Sequence, residues 1–384
     1  MNQNAALRLG IVGLGNIAGQ HIANVREGRV DGCRISALCS RSGSELAAQL
    51  GVPHFSRSQD LVDSGECDAV LVATPTWNHL EAGSAVLRAG LHLMMEKPLG
   101  LSVDEGRQLL ALQGPQQVFG LMLNQRTDPL FTTMREVLAA GTLGEITRTH
   151  WTMTNWFRPE VYFQVSDWRA TWVGEGGGLL VNQCIHNLDI FQWLCGMPAA
   201  LRAFCRFGRY HDIEVEDEAT AYLEYANGAS GVFIGSTGEA PGINRFDIVG
   251  DRGALAFDGE RLTLTRNEPA TSEYNRQTRD MFGMPASQTE DITPGRGGNQ
   301  HAAVLNNFVA AITRGEALVA PAADGLDSLS LANAMLLSTW EDSRVELPLD
   351  ARRYQRALGQ RLEDSGLREK ADIEASIDMG ASYR

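Results

Sequence analysis

In the first third of the chain, short apolar runs alternate with stretches of helical pattern, and this alternation most constrains the fold. Five runs indicate strands, at residues 9–12, 35–39, 69–73, 92–95 and 118–123. The first, third and fifth are almost continuously hydrophobic, which is typical of strands covered on both faces. Helical patterns lie between them at 78–89 and at 103–113, where Ser102 precedes the helix as an N-cap. We therefore predict an α/β fold that begins with a doubly wound parallel sheet.

After Pro129 the pattern changes to short strands joined by tight turns. A helix at 129–140 precedes strand-like segments at 148–154, 201–207, 219–225, 230–234, 246–249, 255–257 and 262–265. Asn227-Gly228 and Asp258-Gly259 are dipeptides that favour hairpin turns, so these strands are predicted to pair antiparallel. Residues 268–298 are predicted to form a long surface loop. Two late helices are predicted at 299–313 and 328–344.

These patterns predict two domains and a tail, which suits a length of 384 residues. The first domain spans residues 1–128, and an α+β domain that includes both late helices spans 129–350. The tail, 351–384, has helical segments with few apolar residues. We hypothesise that the tail packs on a neighbouring subunit.

Charge and cysteine usage narrow the classes of partner and compartment. The net charge of −14 repels phosphate backbones and anionic bilayers, so neither nucleic acid nor membrane is an expected partner. The six cysteines include no C-x-x-C pair, which favours reduced, buried thiols. No room for a signal peptide precedes the first strand, and no apolar run has the length of a membrane span. We expect a cytoplasmic protein.

The turn after the first strand has the sequence Gly13-Leu14-Gly15-Asn16-Ile17-Ala18. In the order strand, turn and helix, Gly13 permits the tight turn, Gly15 lets a pyrophosphate approach, and Ala18 keeps the helix close to the sheet. The helix N-terminus then offers free amide donors to phosphate. The alternative is a glycine turn that only connects a strand to its helix.

The end of the second strand bears on the choice between NAD and NADP. An acidic residue usually binds the ribose hydroxyls of NAD there, but this chain has Ser40 and Arg41. Ser40 does not repel a 2′-phosphate and Arg41 can pair with it, which favours NADP slightly. The alternative is that Arg41 is solvated and NAD binds through other groups.

Glu96-Lys97-Pro98 follows the fourth strand candidate directly, at the sheet edge where α/β proteins bind ligands. Only Lys97 and Lys370 are lysines among 33 basic residues. An ammonium exchanges protons more readily than a guanidinium, which indicates a catalytic role for Lys97. The alternative is a structural ion pair with Glu96 or a neighbour.

A second motif combines three glycines, Gly176 to Gly178, with an apolar helical stretch that carries Asn182 and His186. On an amphipathic helix these two polar side chains share a face, because they are four residues apart. An imidazole beside an amide suits acid/base work on a hydroxyl group. The alternative is a hydrogen-bonded core histidine.

Other catalytic classes have little support. The eight histidines form no H-x-x-x-H pair, and His186 with Asp189 makes too few ligands for zinc, so we predict no metal site. A serine hydrolase is disfavoured because no G-x-S-x-G motif occurs.

Three motifs together, GLGNIA at 13–18, EKP at 96–98 and GGGLLVNQCIHNLD at 176–189, resemble the glucose-fructose oxidoreductase, inositol dehydrogenase and rhizopine-catabolism (Gfo/Idh/MocA) family. The resemblance covers residues 7 to about 345. It implies an N-terminal Rossmann domain and a C-terminal α+β domain with a large, open, mainly antiparallel sheet. It also implies a homodimer or homotetramer formed through that sheet.

The resemblance also implies roles for residues at the strand ends. The family's D-x-x-x-H pair maps to Asn182 and His186, and because an amide cannot accept a proton, Asn182 is left to orient the substrate. Predicted catalytic residues are Lys97, His186 and Asn182. Predicted cofactor contacts are Gly13, Gly15, Asn16, Ile17, Ser40, Arg41, Thr74, Pro75, Trp77, His79, Glu96, Lys97, Gln125, Trp168 and Arg169. Predicted substrate contacts are Lys97, Arg126, Trp151, Tyr162, Asp167, Asn182 and His186.

The predicted activity is hydride transfer between NAD or NADP and a secondary hydroxyl of a sugar, glycoside, anhydrosugar or cyclitol. One alternative is a glycoside-cleaving enzyme that retains NAD and oxidises its substrate transiently. Another is a sugar or dinucleotide sensor on the same scaffold, since a fold does not fix a function.

Overall fold

The N-terminal apolar runs form a six-stranded parallel sheet in the computed structural model, which describes residues 6–369 and Ile373. Its strands are β1 (Leu7–Val12), β2 (Cys33–Cys39), β3 (His54–Phe55), β4 (Ala69–Val72), β5 (His92–Met95) and β6 (Phe119–Leu121). Their spatial order is β3-β2-β1-β4-β5-β6, and every neighbouring pair is parallel. The predicted doubly wound sheet is confirmed.

Helices follow the strands of this sheet and cover both faces. They are α1 (Asn16–Arg26), α2 (Ser44–Leu50), α3 (Ser58–Asp63), α4 (His79–Arg88) and α5 (Val103–Leu112). All four residues of β4 are buried, as expected for a central strand between two helical layers. The Ser102 hydroxyl caps α5 by accepting a hydrogen bond from the Glu105 amide, as the sequence predicted. The strand order reverses beside β1 and β4, which opens a crevice at their carboxyl ends.

The later strands form one nine-stranded sheet. They are β7 (Ile146–Met153), β8 (Ala200–Phe207), β9 (Glu216–Glu224), β10 (Ser230–Ser236), β11 (Asn244–Gly250), β12 (Gly253–Phe257), β13 (Leu262–Glu268), β14 (Ala286–Asp291) and β15 (Val345–Glu346). The spatial order is β14-β13-β12-β11-β7-β10-β9-β8-β15. Only the β7–β10 pair is parallel among these described strands. The predicted large, mainly antiparallel sheet is confirmed.

The remaining helices are α6 (Pro129–Ala139), α7 (Glu160–Gln164), α8 (Trp172–Glu175), α9 (Ile185–Cys195), α10 (Thr271–Gln277), α11 (Gln300–Arg314), α12 (Gly325–Trp340) and α13 (Ala351–Glu363). A π-helical turn, Leu179–Gln183, precedes α9. One face of the nine-stranded sheet packs on α9 through an aromatic cluster. In this cluster Trp151 stacks on Phe246 at a centroid distance of 4.3 Å, and Phe191 of α9 packs against both rings.

The predicted long loop at 268–298 is wrong in part, because α10 and β14 lie within it. No residue of α10 is buried, and every residue of β14 is exposed. Because both elements are exposed, neither has the apolar periodicity that predicts a helix or a strand. Strand β14 pairs with β13 at the sheet edge.

The chain divides into two compact units. Unit 1 comprises the chain up to Thr127, Val173–Gly176 and Gly297–Leu329, and unit 2 comprises the remainder. The helix predicted at 299–313 is therefore part of the first unit and not of the second. Its apolar side chains explain this position, because Leu305 and Phe308 share a core cluster with Ile22 of α1.

The tail hypothesis needs a correction for α13. Tyr354 and Leu358 are buried within the same chain, and the Tyr354 ring stacks on Trp340 at a centroid distance of 5.6 Å. Within the predicted tail, residues 370–372 and 374–384 lie outside the described residues. Within the described part of the chain, no helix is both long enough and apolar enough to cross a bilayer.

Candidate active site

The glycine-rich turn after β1 has the geometry that a dinucleotide requires. Gly13 has a φ of 90°, and a Cβ there would lie 2.6 Å from the Ala73 carbonyl oxygen. A Cβ on Gly15 would meet nothing within 4 Å, so the space above this residue is open. Helix α1 begins at Asn16 without a side-chain cap, which leaves its first amides available to phosphate. Asn16 is exposed and Ile17 half-buried, so the predicted residues fit a bound pyrophosphate.

The end of β2 presents hydroxyl and guanidinium groups. The Ser40 hydroxyl donates to the Ser42 carbonyl oxygen and lies 3.5 Å from His54 Nε2. Arg41 is exposed. Since residues 39–42 contain no carboxylate, nothing in this segment repels a ribose phosphate.

At the end of β4, Thr74 and Pro75 are half-buried and Trp77 is 45% exposed. His79 was predicted to contact the cofactor, but it is buried and joins two backbone segments instead. Its Nδ1 lies 2.8 Å from the Pro98 carbonyl oxygen, and its Nε2 lies 3.0 Å from that of Thr74. Burial lowers the pKa of His79, so at neutral pH the uncharged ring donates one hydrogen bond.

The end of β5 carries the EKP motif, with a cis peptide between Lys97 and Pro98. Lys97 is half-buried, and its backbone amide donates to Glu96 Oε2 at 3.3 Å. Glu96 was predicted to contact the cofactor, but its carboxylate is buried against His21 of α1, at 2.7 Å. His21 was missed because a contact across 75 residues leaves no local sequence pattern.

At the end of β6, Gln125 is half-buried as a cofactor contact allows. Arg126 was predicted to bind substrate, but it is buried within unit 1. Its guanidinium pairs with Asp324 at 2.5 Å and donates to the Val319 carbonyl oxygen at 3.3 Å. The role of Arg126 is therefore a structural ion pair that holds a later segment of the chain.

In unit 2, the glycine motif leads into the π-helical turn through a buried carboxylate. Glu216 of β9 accepts hydrogen bonds from the amides of Gly178, at 2.9 and 3.0 Å, and Leu180, at 2.8 Å. The Cys184 amide donates to the Leu179 carbonyl oxygen, five residues earlier. Asn182 thus lies in a π turn and His186 in the following α-helix, so the predicted regular spacing on one α-helical face is wrong.

His186 lies in the first turn of α9 and is buried. The prediction of an amphipathic helix is wrong, because nearly all of α9 is buried, including its polar residues. Asn187 accepts a hydrogen bond from the Trp156 indole at 3.1 Å, and Gln192 donates to Asp189 at 3.1 Å. These partners allow polar side chains to lie inside the unit.

Tyr162 is the centre of a polar and aromatic cluster in unit 2. Its hydroxyl accepts hydrogen bonds from Arg169 at 2.5 Å and from Gln183 at 3.3 Å. The Arg169 guanidinium lies over the rings of both Tyr162 and Trp168, and Arg158 lies 5.3 Å from the Tyr162 ring. Sequence reasoning missed Arg158 and Gln183. Asp167, a further predicted substrate contact, directly precedes Trp168 in the sequence, and its side chain is exposed.

Trp151 was predicted to contact substrate, but it is a core residue. It is completely buried in the aromatic cluster on the nine-stranded sheet, and its indole donates to Asn244 at 3.0 Å. A buried tryptophan of this kind contributes packing free energy and offers no surface to a ligand.

Two family profiles match the chain. The first covers the glycine turn and the EKP motif, and the second covers the GGG motif. Residues 7–124 match the oxidoreductase family with an NAD-binding Rossmann fold, and residues 131–256 match the GFO/IDH/MocA C-terminal domain. Together they cover more than half of the chain.

Two similar proteins match the chain over most of their length. The chain is 25% identical to inositol 2-dehydrogenase of Rhizobium meliloti over 349 residues, which are 89% of this chain and 99% of the relative. It is 24% identical to levoglucosan dehydrogenase of Pseudarthrobacter phenanthrenivorans, over 79% of this chain and 86% of the relative.

A solved structure supports the same fold. The WlbA dehydrogenase of Bordetella pertussis, in complex with NADH and UDP-GlcNAcA, superimposes with a TM-score of 0.76 at 23% identity, over 90% of this chain and all of the other. Profiles, relatives and fold agree with the glycine turn and the EKP and GGG motifs. The chain therefore belongs to the Gfo/Idh/MocA family of oxidoreductases, with an NAD-binding Rossmann domain at its N-terminus.

Proposed function

We propose that this protein is an NAD(P)-dependent dehydrogenase that oxidises or reduces a secondary hydroxyl of a sugar, glycoside, anhydrosugar or cyclitol. One observation carries the proposal: the open space above Gly15 and the amine of Lys97 belong to the carboxyl edge of the same parallel sheet. The activities of the inositol and levoglucosan dehydrogenases, named as relatives, support the substrate class.

The catalytic roles proposed for this chain follow from side-chain chemistry. The bound nicotinamide supplies the hydride acceptor or donor. The Lys97 ammonium stabilises the charge that develops on the substrate oxygen, and the His186 imidazole accepts the hydroxyl proton. The Asn182 amide orients that hydroxyl.

Substrate contacts are proposed at the Tyr162 cluster. The Arg169 guanidinium, which lies over the rings of Tyr162 and Trp168, offers N–H donors to sugar hydroxyls, and the Tyr162 hydroxyl offers a further polar group. Asp167 is proposed as an acceptor for a substrate hydroxyl.

The cofactor preference is proposed to be for NADP over NAD. The support is local: Arg41 is exposed at the end of β2, and residues 39–42 contain no carboxylate that would bind the ribose hydroxyls of NAD or repel the 2′-phosphate of NADP.

The test is an assay of a panel of sugars, anhydrosugars and cyclitols with NAD⁺ and with NADP⁺. We expect reduced nicotinamide to accumulate in step with a keto product for at least one member of the panel. Cleavage of a glycoside without net reduction would assign the transient-oxidation mechanism instead. Tight dinucleotide binding with no turnover of any member would assign a sensor.

We also propose that the protein forms a homodimer or homotetramer and that it is cytoplasmic. Phe204 and Tyr222 are exposed on the face of the nine-stranded sheet opposite the aromatic cluster, which supports a homodimer or homotetramer formed through this sheet. All six cysteines are free thiols, which supports a reducing, cytoplasmic compartment.

A further inference from the structure

Three titratable side chains from distant parts of the sequence are buried together at the end of β5. His21 comes from α1, Glu96 from the residue before Lys97, and His301 from α11. Their exposed fractions are 0%, 6% and 4%. Burial of an ionisable carboxyl group is costly unless hydrogen bonds or opposite charge compensate it.

Hydrogen bonds fix the Glu96 carboxylate at both oxygens. His21 Nε2 lies 2.7 Å from Oε1, so this ring nitrogen carries the proton and donates it. The backbone amide of Lys97 donates to Oε2 at 3.3 Å. The ring of His301 packs edge-on against that of His21, with centroids 5.5 Å apart and an interplanar angle of 68°. Helix α1 therefore binds the carboxylate that adjoins Lys97, and α11 packs against the imidazole that binds it.

The charges in this cluster favour an anionic Glu96 at neutral pH. Burial raises the pKa of its carboxyl group, but the hydrogen bond that it accepts from His21 is foremost among the effects that outweigh burial, and the pKa falls to about 2. Burial lowers the pKa of His301 to about 4 and also lowers that of His79, which binds the Pro98 carbonyl oxygen. The groups around the Lys97 backbone are thus one carboxylate and uncharged imidazoles from α4 and α11.

We propose that Glu96, held by His21 and His301, is a positioning residue that keeps the Lys97 side chain cationic and fixes its backbone. The proposal rests on the function proposed above for Lys97. His21 lies in α1, the same helix whose N-terminus is proposed to hold the cofactor phosphates. One helix would therefore hold both the dinucleotide and the residue next to the catalytic amine.

The pKa of the Lys97 side chain can be measured directly, because Lys97 and Lys370 are the only lysines in the sequence. Lysine labelled with ¹³C at Cε gives two lysine signals by NMR, and Lys370→Arg leaves that of Lys97 alone. The pKa of Lys97 is then read from a pH titration of one signal, without substrate and without any assumption about activity. Circular dichroism of each variant confirms that the protein is folded.

In this background we expect Glu96→Gln to lower the pKa of Lys97 by about one unit or more, because the negative charge of the adjoining residue is removed. His21→Asn is expected to shift it by a smaller amount, since the carboxylate keeps its charge but loses the hydrogen bond that fixes its position. His92→Asn is the matched control. His92 is a partly buried histidine at the other end of β5, about 13 Å from Glu96 along the strand, and its removal should leave the Lys97 titration unchanged.

An unchanged Lys97 pKa in Glu96→Gln, or equal shifts in the His21 and His92 variants, would overturn the proposal. If Glu96→Gln does not fold, the His21→Asn and His301→Asn titrations decide the question in the same way. A failure of the proposed function has a different signature: the substrate panel would then yield no reduced nicotinamide, while the NMR titration would still report the coupling.

Discussion

The buried carboxylate of Glu216 accepts hydrogen bonds from the backbone of Gly178 through both of its oxygens, at 2.9 and 3.0 Å. A third bond comes from the Leu180 amide at 2.8 Å. These contacts fix the backbone just before Asn182, in the π-helical turn that leads to His186. A strand residue of unit 2 therefore holds the segment that carries two of the proposed catalytic side chains.

Substitution Glu216→Gln is expected to reduce the free energy of unfolding by about 2–4 kcal/mol, because an amide nitrogen would face buried N–H donors. Urea unfolding monitored by tryptophan fluorescence measures this change. The control is Glu218→Gln on the same strand, whose partners are the surface residues Arg209 and Tyr210. Equal losses in both variants would show that the Gly178 contacts have no special importance.

For Lys97, exchange to alanine is expected to reduce kcat by about 10²- to 10³-fold, because the positioned charge that stabilises the substrate oxygen is lost. The Kd of the dinucleotide should change by no more than about threefold, since the phosphates bind at the glycine turn. Stopped-flow turnover and fluorescence titration with NADPH measure the two quantities. Lys370→Arg serves as the control, and a comparable loss in that variant would contradict a specific role for Lys97.

The end of β2 makes a prediction about cofactor choice. Arg41→Ala should lower kcat/KM with NADP⁺ by about 10- to 100-fold and leave the value with NAD⁺ nearly unchanged, because only the 2′-phosphate pairs with the guanidinium. Arg26→Ala, an exposed arginine at the far end of α1, should alter neither value. A parallel loss with both cofactors would refute the proposed discrimination.

Local pattern predicted the parallel sheet well because buried central strands are continuously apolar. The predicted strand at 92–95 coincides with β5, and the N-cap at Ser102 is as expected. Local pattern failed for β14, whose residues are all exposed and which is held to β13 by backbone pairing and by polar side-chain contacts. A strand of this kind has no hydrophobic alternation to detect.

Side-chain roles were harder to predict than elements. Arg126 is a residue type that often binds substrates, but here it pairs with Asp324. The two residues are 198 positions apart, so no local sequence pattern reveals the pair. Trp151 likewise belongs to an aromatic core built from five separate elements. The resemblance to a family indicated the strand ends at which functional residues are expected, but it could not show which of those side chains are buried.

The buried imidazole of His301 makes the stability of unit 1 depend on pH. Its pKa falls from 6.5 to about 4 on folding, so the unfolded chain binds a proton at a pH where the folded chain does not. Stability from this group is therefore complete above pH 6.5 and is lost as the pH falls to about 4, by about 3 kcal/mol in total. Urea unfolding at a series of pH values should show a shallower acid dependence in His301→Gln.

The comparison variant for that experiment is His150→Gln, which alters a partly exposed histidine of unit 2. It should keep the pH dependence of the native protein. If His301→Gln and the native protein lose stability in parallel between pH 6.5 and 4, the acid sensitivity has another origin.

The open face of the nine-stranded sheet predicts self-association. Along β8 and β9, Ala203 and Ala221 point to the buried face, while Phe204 and Tyr222 point to the other face and are 57% and 48% exposed. Burial of aromatic side chains on one open sheet face is most favourable when a second copy covers them.

Phe204→Asp combined with Tyr222→Asp should therefore reduce the molar mass measured by light scattering to that of a monomer. Leu367→Asp, an exposed leucine outside the sheet, should not. A dimer or tetramer that survives both aspartates would place the interface elsewhere, for which the exposed Met281 and Phe282 next to β14 are the next surface to substitute.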